Sequence, residues 1–66
     1  MIRFNLICQD GGIFRNSLLF CNRGLIKSYR DLHNALKWEK QIIVQKAENS
    51  IIISSKDYYE AEIVNN

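Results

Sequence analysis

Ser28–Glu39, SYRDLHNALKWE, is the one stretch of this 66-residue chain with a convincing helical period. At about 100° per residue, Tyr29, Leu32, Ala35 and Leu36 form an apolar stripe that should lie on a sheet. Arg30, His33, Asn34 and Lys37 occupy the opposite side, and Trp38 falls off the stripe, on the flank shared with Asp31 and Asn34. Ser28 suits the N-cap, because its hydroxyl can accept from a free first-turn amide. Asp31 follows as a shortened capping box and favours the positive end of the helix dipole. No glycine closes the helix, so its end near Glu39-Lys40 is open by about two or three residues.

On either side of this helix the chain reads as strand and turn. Ile2 to Gln9 alternates, with Ile2, Phe4, Leu6 and Cys8 on one face and Ile7 as the exception on the other. Asp10-Gly11-Gly12 tolerates positive φ, as a tight hairpin turn requires. Ile13 to Cys21 returns with apolar groups on both faces: Phe14, Leu18 and Phe20 on one, broken by Asn16, and Ile13, Leu19 and Cys21 on the other. That pattern predicts a strand that is central or covered on both sides.

Asn22-Arg23-Gly24 signals a turn, and Leu25-Ile26-Lys27 leads into the helix. Two β-branched runs, Gln41–Gln45 and Ile51–Ile53, flank a turn at Ala47-Glu48-Asn49-Ser50. Residues 58–64 are read as a last strand, favoured by its tyrosines, Ile63 and Val64, over a short helix capped by Asp57. In that strand Tyr59, Ala61 and Ile63 would share one face. The expectation is a single small α+β domain: a curved antiparallel β-sheet with one α-helix packed across a face, in the order β-β-α-β-β-β.

Composition narrows function mainly by exclusion. A net charge of +2 does not announce a partner, but its distribution is uneven. Residues 1–40 hold seven Lys/Arg against three Asp/Glu, whereas residues 41–66 hold two against four. Cys8 and Cys21 are the only cysteines, fewer than a secreted disulfide scaffold of this size carries. The opening residues do not read as a signal peptide, since the apolar run breaks at Asn5, and no stretch has the length of a membrane span. A cytoplasmic protein with reduced thiols is expected.

Metal and catalytic chemistry find little to work with. Cys8, Cys21 and His33 are potential zinc ligands, but they stand singly, whereas structural sites present ligands in close pairs. A Cys21–His33–Asp31 set fails on geometry, because residues two apart on a helix point about 200° away from each other. Glu60 and Glu62 share a strand face without an indicated cleft, and Asp10-Gly11-Gly12 lacks the lysine and context of a phosphate loop. The expectation is no catalytic residue, no metal and no cofactor.

Binding remains, with Arg23, Lys27, Arg30, His33, Asn34, Lys37 and Trp38 as candidate partner-contacting residues. Trp and Arg are the types most enriched at interface hot spots. The plainer readings are Trp38 as a cover for the core's rim and His33 as a solvated helix residue. The expected partner is a larger protein or nucleoprotein complex, which this chain would occlude or tether. Small accessory inhibitors of phages and mobile elements share its size and its lack of catalytic residues. The alternative is nucleic-acid binding through the basic turn and helix face, with Lys40 joining the cluster and Trp38 stacking on a base. Edge strands offer a third possibility, pairing of two copies.

Overall fold

The computed structural model describes residues 2–46 and 48–64. Among them, six strands and one helix follow in the order β1 (Phe4–Cys8), β2 (Ile13–Cys21), β3 (Gly24–Leu25), α1 (Tyr29–Trp38), β4 (Gln41–Lys46), β5 (Asn49–Ser54) and β6 (Tyr58–Ile63). The sheet is antiparallel with strand order β5-β4-β2-β1-β6, and β3 pairs β2 alongside that path. The α+β architecture follows the sequence, and residues 58–63 form a strand. The order needs one correction: β3 adds a strand before the helix. It spans two residues, too few to show a period.

Strong curvature follows from the connection between β5 and β6. They lie at opposite ends of the strand order, which in a flat sheet would set them about 19 Å apart. Yet the Asp57 N–H donates to the Ser54 carbonyl at 3.0 Å, a turn whose ends approach within about 7 Å. The next residue, Tyr58, already pairs with Cys8 of β1. The sheet must therefore curl until its edges come near each other at this corner.

A bulge in β2 resolves its double-sided apolar pattern. Phe4 pairs with Ser17 and Leu6 with Phe14, so Asn5 alone faces both Arg15 and Asn16. Asn16 takes a left-handed φ of 52°, and its N–H donates to the Asn5 side chain at 2.8 Å. The extra residue switches parity. Phe14 before the bulge and Ser17, Leu19 and Cys21 after it all face the concave core, while Leu18 and Phe20 turn to the convex side. The assignment of Phe14 to the same face as Leu18 and Phe20 is thus overturned. A second irregularity, between Ile7 and Cys8, leaves Tyr59 as the extra residue of β6. Tyr58 rather than Tyr59 therefore packs with Ala61 and Ile63 against the core, and Tyr59 is 60% exposed.

The core gathers Phe4, Leu6, Leu19, Ile26, Leu32, Ala35, Ile42, Val44 and Ile53. Ser17 is the one buried polar residue among those described, and its hydroxyl donates to the Arg15 carbonyl. The Ser28 Oγ caps the helix, accepting from the Asp31 N–H at 3.1 Å. Glu39 is the C-cap, and Lys40 adopts the left-handed φ of 58° that glycine usually supplies after a helix. At the first hairpin Gly11 supplies a φ of 92°, and Asp10 accepts from the Gly12 N–H at 2.8 Å. In the β4–β5 hairpin Lys46 already pairs with Asn49, so both Asn49 and Ser50 belong to β5; Ala47, assigned to that turn, lies outside the described residues.

Candidate functional site

Helix α1 lies with Leu32 and Ala35 buried in the concave face, so its two flanks look out over different parts of the sheet. On one flank a cavity of about 260 Å³ opens between the helix and the β2–β3 hairpin. Arg23, Lys27, Asn34 and Trp38 line it, together with Asp31 and Glu39. Trp38 is 68% exposed, so it does not cover the core. The Lys37 ammonium sits 5.4 Å from its ring centroid, within cation–π range.

The two carboxylates of this cavity are partly committed to the backbone. Asp31 Oδ2 accepts from the Lys27 N–H, and Glu39 Oε2 accepts from the Asn22 N–H, each at 3.2 Å. These bonds fix the β2–β3 hairpin and the approach to the helix against α1 itself. The arrangement presents two cations, an amide and an indole to solvent, beside two carboxylates of opposite sign.

The remaining sequence-derived residues separate. His33 lines the other flank, a groove shared with Tyr29, Ser55, Tyr58 and Tyr59. Arg30 and Lys37 are exposed along the crest between the flanks. The helix face drawn as one contact set is thus a cavity with four of the seven candidates, a crest with two and an opposite groove with one. Cys21 and Asp31 line the first cavity while His33 lies across the helix, so these three do not meet at one site. Among the described residues, no three His, Cys, Asp or Glu side chains gather in reach of one metal ion, and no helix is long and apolar enough to cross a membrane.

Tyr29 stands at the exposed margin of the helical stripe. It is 41% exposed, packs edge-on to Phe4 at 6.0 Å, and its hydroxyl accepts from the Ile63 N–H of β6 at 2.8 Å. The β1–β6 ladder includes an Arg3–Val64 bond, so alternate residues of β6, Ile63 among them, direct their amides away from β1. Tyr29 therefore caps the outer edge of β6.

Sequence reading raised edge pairing without singling out the opposite edge, β5. Ser55 N–H donates to the Lys40 carbonyl in the β4–β5 register, which assigns Ile51 and Ile53 to bond β4 and turns Ser50, Ile52 and Ser54 outward. Ser54 is occupied at both groups by Asp57. Ser50 and Ile52 keep outward N–H and C=O groups with no partner among the described residues. The available signal was the run NSIIIS, a strand without a charge or a proline.

Comparison with protein-family models, with characterised proteins and with solved structures finds no match. The functional reading therefore rests on the chemistry of these residues.

Proposed function

We propose that this chain is a small protein-binding module that engages a larger partner through the flank of α1 carrying Trp38. The observation that supports the reading is a largely exposed tryptophan at the mouth of a cavity lined by both signs of charge. At about 260 Å³ the cavity is below the usual range for small-molecule sites and suits one inserted side chain of a protein partner. Trp38 would act as the anchor, with Arg23, Lys27 and Asn34 supplying directional polar contacts around it. Such a module acts by occlusion or tethering and requires no cofactor. The reading includes a cytoplasmic setting, in which Cys8 and Cys21 stay as free thiols.

Asp31 and Glu39 weigh against nucleic acid, since they put negative charge where a phosphate would sit. The test is affinity capture with wild-type and Trp38→Ala chains, followed by binding measurements on the purified partner. Trp38→Ala should weaken that complex by about 30-fold or more, the scale of an interface hot spot, while the melting temperature barely moves. An unchanged affinity would refute the anchor role. Oligonucleotide binding that falls steeply with salt and needs Arg23, Lys27 and Arg30 would instead establish the nucleic-acid alternative.

A further inference from the structure

We propose that the free edge of β5 accepts an extended, basic segment of a partner protein as an added strand. The site is independent of the Trp38 cavity and goes beyond that reading. Ile51, Ile52 and Ile53 all line one groove of about 320 Å³. Successive strand residues point to opposite faces, so a groove touching all three runs along the strand's edge. The other edge of β5 is paired to β4 along its whole length, which leaves the outer one.

Along that edge, Ser50 and Ile52 offer two donors and two acceptors in the spacing of a β-ladder, the chemistry of strand addition. The far wall of the groove is the β1–β2 hairpin, with Cys8 and Phe14 giving it an apolar lining. On the convex side Ile52 continues a cross-strand row through Ile43 to Phe20, so an added apolar residue would extend existing packing.

Charge selects the occupant. Asp10 and Asp57 line the same groove. Their negative field is felt by the Cys8 thiol, whose pKa is raised first by burial and then by these two carboxylates. The Lys46 ammonium lies 4.7 Å from the Phe14 ring centroid and is not among the lining residues. A second copy presenting its own β5 would bring no cation, because Asn49–Ser54 carries no charge. A segment alternating apolar residues with lysine or arginine satisfies both the ladder and the carboxylates.

The probe is a synthetic peptide of about eight residues alternating valine and lysine, titrated into the isotopically labelled chain. Two controls replace lysine by glutamate, or methylate alternate peptide nitrogens so that no ladder can form. Saturable shifts centred on Ser50 and Ile52, with their amide exchange slowed about tenfold, are expected for the lysine peptide. The glutamate peptide should bind at least about tenfold more weakly, and the methylated one not at all. Asp10→Asn keeps the acceptor for the Gly12 N–H and should narrow the lysine–glutamate gap, whereas Trp38→Ala should leave peptide affinity unchanged. Equal binding of lysine and glutamate peptides, no saturable binding, or loss on Trp38→Ala would overturn the proposal. So would protection of Ser50 and Ile52 by concentration-dependent dimerisation without peptide, which would make a second copy the occupant.

Discussion

The two edge strands of this sheet are equal in length, six residues each, and opposite in treatment. β6 carries Glu60 and Glu62, contains a bulge, borders helix α1 and has an outward amide capped by the Tyr29 hydroxyl. Charge, irregularity and cover are the usual means by which a sheet edge is protected from pairing. β5 is uncharged and regular, its cover is confined to Ser54, whose two outward groups meet Asp57, and Ile52 is 65% exposed. Through Tyr29 the helix caps one outward amide of β6, that of Ile63, whereas the outward groups of Ser50 and Ile52 on β5 meet no such cap among the described residues.

The comparison can be broken most forcefully at Leu32, which is fully buried and holds the helix against the concave face. Leu32→Ala should cost about 2–5 kcal/mol. That approaches the entire stability of about 3–5 kcal/mol expected for a single core of this size. Urea unfolding checks it, and a midpoint equal to wild type would mean that Leu32 does not hold the helix against the sheet.

Tyr29→Phe is a gentler cut at the same edge. It removes the acceptor of the Ile63 N–H and should cost about 0.5–1 kcal/mol, moderated because water can reach the half-open position. Faster hydrogen exchange at Ile63, with little change at Ile52, is the accompanying signature. On the other edge, Ile52→Lys should change stability by no more than about 0.5 kcal/mol, because the side chain is exposed. It should still suppress any strand addition or self-association seen for wild type by light scattering.

Tyr58 gives the smallest effect and a defined pH window. Burial raises its phenol pKa above its ordinary value of 10.0. The unfolded chain therefore ionises first. Stability is intact below the unfolded pKa and is lost as pH rises through the folded-state value. Tyr58→Phe should flatten this alkaline limb, read from urea midpoints at about pH 8 and about pH 10.5.

Much of the architecture was legible in local chemistry. Ser28 announced the helix start, Asp10-Gly11-Gly12 the first hairpin, and the alternation of Phe4, Leu6 and Cys8 the buried face of β1. What escaped depends on single residues that break a period. Asn16, at a left-handed φ, shifts the parity of β2 and moves Phe14 to the concave side. Tyr59 does the same for β6.

The helical wheel placed Tyr29 on the core stripe correctly as to side but could not show that its hydroxyl reaches an edge amide. Nor could it show that the helix would stand between His33 and the Arg23–Lys27–Trp38 cavity, since that depends on which hairpin lies beside each flank. Four of the seven candidate contact residues meet at one cavity. The open edge of β5 was written in the sequence only as an absence of charge, which acquires meaning once the pairing on its other side is known.

Native-state hydrogen exchange of two backbone amides tests the account most directly. In the dilute monomer, the Ile63 amide should be strongly protected by the Tyr29 hydroxyl, while the Ile52 amide should exchange close to the rate of an unprotected chain. Protection of Ile52 equal to that of Ile63, under conditions where no dimer forms, would contradict the claim that this fold caps the outward amide of Ile63 and leaves that of Ile52 open.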